Sequence, residues 1–340
     1  MKLIPTREAV GHVLCHDITR IVPGEFKGVA FTKGHVVRPE DVEALLDLGK
    51  ANLYVWSLTP GMVHEDDAAW RLYRLCAGEH MRPQGPSEGK IDVIAEADGL
   101  LTVDVPRLRA VNALGELMVA TRPTNTPVKA GDKLAVTRVI PLVVAEDKLK
   151  KAQAAAGAAP LLTLTPFQAL RAGVITTGSE VFTGRIEDKF TPVLERKMAE
   201  YGSEVVEKRK LSDEPEPIAR AIRELAGLGC QIVLVTGGMS VDPDDRTPLA
   251  IKLSGAEIIS YGAPVLPGAM FMLAYLDAVP VVGLPGCVRY ARRTIFDLVL
   301  PRLAAGRRVD AAELAALGHG GLCLSCEMCT FPNCGFGRGV

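Results

Sequence analysis

Apolar positions change their rhythm near residue 166. Before that point, short runs such as "ANLYVWSL" (51–58), "KIDVIAEADGLLTVDV" (90–105), "GELMVATR" (115–122) and "KLAVTRVIPLVV" (133–144) are separated by Gly, Pro and Asn, which predicts strands and turns. One helix is expected in "RPEDVEALLDLG" (38–49), with Val42, Leu45, Leu46 and Leu48 near one face, Pro39 at its start and Gly49 at its stop. "KKAQAAAGAAP" (150–160) carries little packing information and reads as a helical or flexible connector.

From Phe167 onward strands and helices alternate, the pattern of a parallel sheet covered on both faces. "ALRAGVITTGSE" (169–180) opens with a strand, and "TPVLERKMAEYG" (191–202) comes next as a helix with Leu194, Met198 and Tyr201 in register. "SEVVEKRKL" (203–211) is the next strand. "EPIARAIRELAGLG" (216–229) is the next helix, with Ile218, Ile222 and Leu225 on one face. "CQIVLVTGG" (230–238) is apolar enough for a central strand, "FMLAYLDAVPVVGLPG" (271–286) reads as a strand pair, and "RYARRTIFDLVLPRL" (289–303) closes as a helix. The expected fold class is therefore α/β. A three-layer α/β/α domain with a mostly parallel sheet spans 167–308, after a β-rich region at 1–149 and a linker at 150–166, and before a Cys-rich tail at 309–340.

Composition narrows the function. The 48% of apolar residues suffices for ordinary cores. The 39 basic and 40 acidic residues nearly cancel, which excludes partners recognised by bulk positive charge, namely nucleic acid and the membrane surface. Any anion site must be local. No run of 18 apolar residues occurs, and "MKLIPTREAVGHVLCHD" has no leader-like apolar core, so a cytoplasmic location is expected.

Ligands of open α/β sheets bind beyond the carboxyl ends of the strands. Three segments fall there: "TGSEVFTGRIEDKFTP" (177–192), "TGGMSVDPDDRTP" (236–248) and "LPGCVR" (284–289). The first two share a Gly turn, an acidic pair (Glu187 and Asp188; Asp244 and Asp245), a basic residue and Thr-Pro. Thr191 and Thr247 suit helix N-caps, with Pro192 and Pro248 in the first turn. Bare N–H groups at a helix start favour phosphate, and Gly lets it approach the backbone. Carboxylates beside a phosphate call for a divalent cation such as Mg2+ between them. A third acidic loop, "LSDEPEP" with Asp213 and Glu214, fits this site or simply caps the following helix. No Walker A or GxGxxG run is present.

These motifs carry a resemblance. "TTGSE", "GRIEDKFTPVLE", "LSDEPEPI", "VLVTGGMSVDPDDRTP" and "VVGLPGC", all within about 171–305, resemble the molybdopterin-binding fold of molybdopterin adenylyltransferases, molybdopterin molybdotransferases and gephyrin-type proteins. The resemblance implies a pterin-phosphate pocket shaped by Gly237, Gly238 and Ser240, with Thr177, Gly178, Ser179, Glu180, Thr236, Pro285, Gly286 and Cys287 in the same binding set. It implies that Asp245 is central to catalysis or to Mg2+ binding, with Asp188 and Asp213, on two further acidic positions of the pattern, as additional catalytic residues and Asp188 as a second Mg2+ ligand; Asp242 and Asp244 read as solvated. The opening segment "GHVLCHDITRIVPGEFKGVAFTKGHVVRPEDVEALLDLGKANLYV" is similar in flow to the molybdotransferases. By this resemblance the chain is expected to act in molybdenum cofactor biosynthesis. The implied substrates are molybdopterin or its adenylylated form and molybdate, with Mg2+-dependent insertion releasing AMP. A dimer through the N-terminal region is expected. The alternatives are a non-catalytic carrier serving a client molybdoenzyme, and an adenylyltransferase.

Two departures stand out. The Lys-Pro-Gly-Lys-Pro stretch often found in that family is "PVLPGAM" (264–270) here, without either lysine, and Cys287 stands where Asn or Gln is usual. Cys287 reads as a small packing residue or as a thiol near the ligand's dithiolene. Arg289 and Arg292 could restore some positive charge, or Arg292 could lie on a solvated helix face.

Cys15, Cys76, Cys230 and Cys287 are scattered, whereas Cys323, Cys326, Cys329 and Cys334 crowd into "CLSCEMCTFPNC" with C-x2-C-x2-C-x4-C spacing. That spacing predicts Zn2+ or an iron–sulfur cluster, against a disordered tail of free thiols. His319 is a further candidate ligand or an exposed residue.

Overall fold

The computed structural model describes residues 2–22, 26–55, 60–240, 242 and 245–339. The chain divides into two compact units: residues 1–96, 103–122 and 130–163 form the first, and 97–102, 123–129 and 164–340 the second.

The first unit is built on a four-stranded antiparallel sheet in the order Met81–Ser87, Lys90–Ala95, Lys133–Val139, Leu117–Thr121. It carries more helix than the single one expected from sequence. Glu65–Cys76 buries Ala68, Ala69, Leu72, Tyr73, Leu75 and Cys76 on one face, and its start is capped by His64 Nδ1, which accepts from the Asp66 N–H at 3.2 Å. Three carboxylates in its first turn favour the positive end of the helix. Val105–Asn112 is a second unforeseen helix, capped by Asp104. Of the helical or flexible connector expected over 150–160, the first part is helical. Glu146–Ala156 is a helix with Leu149, Ala152 and Ala156 buried, and Leu162–Pro166 is a strand, because apolar positions three and four apart supply a packing face even in an Ala-rich run. A smaller core of Ile4, Ala9, Leu14, Ile18, Val37, Leu45, Leu53 and Val55 gathers around the antiparallel pair Lys2–Pro5 and Asn52–Val55.

The second unit contains a six-stranded sheet in the order Glu204–Leu211, Arg171–Thr177, Ile232–Thr236, Val279–Leu284, Met272–Leu276, Glu257–Tyr261. The first four strands are parallel, Met272–Leu276 runs antiparallel to them, and Glu257–Tyr261, antiparallel to Met272–Leu276, runs with the first four again. Ile232–Thr236 is buried at every position, as its unbroken apolar run requires of a strand covered on both faces. On one face Leu194 and Met198 of helix Thr191–Ala199 and Phe296 and Val299 of helix Ile295–Ala304 pack with Val174, Leu234 and Val282. On the other, Ile218, Ile222 and Leu225 of helix Pro215–Gly227 and Ile251 of helix Thr247–Leu253 pack with Ile175, Val233 and Val281. The predicted three layers are present.

The closing helix is shorter than its sequence suggested. Thr294 and Asp297 form a capping box that sets its N-terminus, so 289–293 stay outside and Gly286–Arg289 forms a separate 3-10 turn. Nor is the tail an appendage. Phe336 is buried, Cys323, Phe331 and Cys334 pack on the same core as the last helix, and the Leu266 N–H donates to Gly321 O at 2.9 Å while the Cys323 N–H donates to Leu266 O at 2.8 Å. No helix among the described residues is long and apolar enough to cross a membrane.

Candidate functional site

Strand register aligns the candidate loops on one edge. Thr176 lies opposite Thr236, Thr236 opposite Leu284, and Thr177 opposite Leu211, so four parallel strands end nearly level. Met272 pairs with Gly283 and with Tyr261, which brings the segment 262–271 to that same edge.

At its centre the Gly237–Gly238 turn presses against the end of the neighbouring strand. Gly237 has φ +89°, and a Cβ there would stand 2.4 Å from Thr177 O and 2.6 Å from Thr177 Oγ1. Gly238 has φ +55°, with Thr247 Oγ1 2.9 Å from the place of its Cβ. Both positions therefore exclude side chains for reasons of space as well as backbone angle. The turn is tied to the next helix by Thr247, whose Oγ1 donates to Gly237 O at 2.8 Å and whose N–H donates to Gly238 O at 3.1 Å. Thr236 Oγ1 is fully buried and has no hydrogen-bond partner among the described residues.

The three candidate acids have different surroundings. Asp188 is saturated: Oδ1 accepts from the N–H groups of Phe190 (2.8 Å) and Thr191 (3.2 Å), and Oδ2 from the hydroxyls of Thr191 (2.5 Å) and Thr176 (3.1 Å). Burial acts to raise its pKa, but the bonds from Thr191, Phe190 and Thr176 outweigh that and hold the carboxyl below its usual range. Four bonds use the lone-pair sites of an ionised carboxylate, so the expected Mg2+ role of Asp188 does not fit its environment. Its work is to secure the start of helix Thr191–Ala199. This also corrects the capping expectation, since Thr191 and Thr247 are the first residues of their helices and neither preceding residue makes a side-chain cap.

Asp213 accepts from Ser179 N (2.9 Å) and Ser179 Oγ (3.1 Å) and makes no cap to helix Pro215–Gly227. It braces the first Gly loop, where Gly178 precedes the short helix Ser179–Phe182 and Glu180 is exposed. Asp245 accepts one bond, from Ser240 N to Oδ2 at 2.7 Å, which leaves Oδ1 without a hydrogen bond among the described residues. Asp244 lies outside the described residues. Near Asp245 stands Tyr261, a half-exposed residue the sequence did not single out; its hydroxyl donates to Met239 O at 3.2 Å, and burial, then the charge of Asp245, raises its pKa. The only hint in the sequence was its place near the end of the strand-like run "AEIISYG" (256–262).

On the third loop, Pro285 is buried and Gly286 exposed, while burial pushes the half-buried Cys287 thiol up, away from the thiolate that metal ligation needs. Arg289 approaches the Phe190 ring at 5.8 Å, and Arg292 Nη1 donates to Glu327 O of the tail at 2.6 Å, so Arg292 is engaged with the tail and not with a helix face. Among the described residues no three His, Cys, Asp or Glu side chains are gathered around a point that would hold one metal ion. The tail cysteines, expected to hold Zn2+ or an iron–sulfur cluster, do not form such a group among the described residues. Cys323 and Cys334 are half-buried, Cys326 and Cys329 exposed, and His319 exposed.

Residues 173–305 match the family described as "Probable molybdopterin binding domain". The second unit carries a molybdopterin-binding-type domain. Residues 3–57 match a domain of unknown function. The chain is 34% identical over 90 residues to a CinA-like protein of Mycolicibacterium vanbaalenii, covering 26% of this chain and 21% of that protein. It therefore spans about a fifth of the length of the curated relatives it matches. Among solved structures, the molybdopterin biosynthesis enzyme MoaB of Thermus thermophilus is 23% identical, with 41% of this chain and 98% of that chain covered and a TM-score of 0.34. CinA of Thermoplasma acidophilum, a protein of unknown function, is 18% identical, with 36% and 90% covered and a TM-score of 0.32.

Proposed function

We propose that the molybdopterin-binding-type domain takes adenylylated molybdopterin at the carboxyl edge of its sheet and, with Mg2+ on Asp245, catalyses molybdate insertion with release of AMP. One observation carries this reading: a side-chain-free Gly237–Gly238 turn is followed by an acid, Asp245, whose Oδ1 accepts no hydrogen bond among the described residues. Phosphate can come up against backbone at such a turn, and Mg2+ is typically held by one or two protein carboxylates with the remaining positions taken by phosphate and water. When bound, the cation supplies charge stabilisation at the pyrophosphate. Asp188 and Asp213 contribute by holding the loops that carry Thr177, Gly178 and Ser179, and not as ligands or reacting groups.

A second reading, a carrier that shelters the cofactor for a client enzyme, is favoured by the loop 264–270. It lacks lysine, and its Leu266 backbone is engaged by the tail. Incubating the purified protein with adenylylated molybdopterin, molybdate and Mg2+ separates the two. AMP release that stops when Mg2+ is chelated supports insertion; tight binding without AMP sinks it in favour of the carrier. Release of pyrophosphate from ATP and molybdopterin would instead identify an adenylyltransferase.

A further inference from the structure

The four tail cysteines do not converge on one point, yet all four line one cavity. Its volume is about 610 Å3, and Cys323, Cys326, Cys329 and Cys334 share its wall with apolar and cationic neighbours, among them Phe331 and Arg292. A single tetrahedral Zn2+, with Zn–S near 2.3 Å, draws four sulfurs to roughly 3.8 Å from one another. The described thiols are not so gathered. A polynuclear cluster, by contrast, keeps its thiolates apart around an inorganic core. From this geometry we infer that the tail binds a [4Fe–4S] cluster with Cys323, Cys326, Cys329 and Cys334 as its ligands.

Three further features agree. The spacing C-x2-C-x2-C-x4-C places three thiols on one short turn-rich segment and brings the fourth back after Pro332, close to the C-x2-C-x2-C-x3-C-P run of bacterial clusters. The cavity wall is largely apolar, as a cluster that must exclude water requires. Four thiolates around such a core leave a net negative charge. Arg292 stands on the wall to balance it, holding Glu327 O, while Arg293, 4.8 Å from the Phe331 ring centre, is already paired with Glu200 and Asp297. The cavity also takes in Pro267, Tyr290 and Ala291, which belong to the two loops that leave the sheet beside the Gly237 turn. The cluster therefore belongs to the same edge of the sheet as the proposed pterin site, though the inference does not depend on that proposal.

The test uses the full chain, prepared anaerobically and reconstituted with equal amounts of ferric and ferrous iron and with sulfide. The expected result is about four iron and about four acid-labile sulfide per chain, with a broad visible absorption that dithionite bleaches. Cys326→Ser and Cys329→Ser alter exposed thiols outside the core, so each should keep the circular dichroism of the parent while losing most of the iron and colour. Cys287→Ser should keep the full iron content. One colourless zinc per chain without sulfide, failure to take up iron and sulfide at all, or full iron content in both tail variants would each overturn the assignment.

Discussion

The loops "GRIEDKFTP" and "GGMSVDPDDRTP" contain nearly the same residues, yet the fold uses them differently. In the first, Asp188 is surrounded by four donors, one of them Thr176 from the preceding strand, and becomes a structural tie. In the second, Asp245 takes one donor among the described residues, Ser240 N, which leaves Oδ1 without one there. The glycines differ likewise. Gly237 is wedged against Thr177, whereas Gly184 has nothing within 4 Å of the place of its Cβ. A shared motif therefore does not mean a shared role; the number of local donors decides which carboxylate is left for a ligand.

The largest effect should come from Asp245→Asn. Its amide oxygen can still accept from Ser240 N, so urea unfolding should shift by less than about 1 kcal/mol, while AMP release falls by about 100-fold or more through loss of the cation's carboxylate. Unchanged turnover, or an equal loss in Asp188→Asn at matched stability, would break the contrast between the two acids.

Next comes a pair of glycine substitutions. Gly237→Ala must push its Cβ into the Thr177 carbonyl and should destabilise by about 2–4 kcal/mol, whereas Gly184→Ala meets only its unfavourable φ of +73° and should cost about 1 kcal/mol. Chemical denaturation of both variants checks the ordering, and similar losses would mean that the two turns are equally tight.

Asp188→Ala removes the tie at the start of helix Thr191–Ala199 and should cost about 1–2 kcal/mol at neutral pH. The folded-state pKa of Asp188 lies below its unfolded value, so its stabilisation is complete above the unfolded pKa near 4 and is lost as pH falls through the folded one. The gap in unfolding free energy between parent and variant should therefore close in acid and be constant from about pH 5 upward. A gap that widened in acid would reverse the sign of the shift. The smallest effect belongs to Ser179→Ala, which gives up one exposed hydroxyl bond to Asp213 while keeping the backbone one, and should cost about 0.5–1 kcal/mol.

Much of the second unit was legible because helix and strand periods are local. Leu194, Met198 and Tyr201 are all buried as their spacing required, and so are Ile218, Ile222 and Leu225. In the first unit the helix Glu65–Cys76 escaped notice, although Ala68, Leu72, Leu75 and Cys76 fall on one face, since its neighbours read as strands on both sides. Less visible still was the docking of the tail. Leu266 and Gly321 are far apart in the chain, and nothing in "PVLPGAM" announces that its backbone will be taken by Gly321 and Cys323. Tyr261 was hidden for a similar reason, since its hydroxyl meets Met239 O only once the antiparallel edge is in place.

By itself the sequence determined the alternation of strands and helices, the side-chain-free turn at Gly237 and Gly238, and the candidate acids near the carboxyl edge, because periodicity, missing side chains and charge are properties of short stretches. Only the tertiary structure decided which acid is saturated and which thiols face one cavity. Hydrogen-bond saturation and cavity lining depend on atoms delivered from distant strands and loops: Thr176 closes Asp188, and Tyr290 to Arg293 close the wall around the tail cysteines.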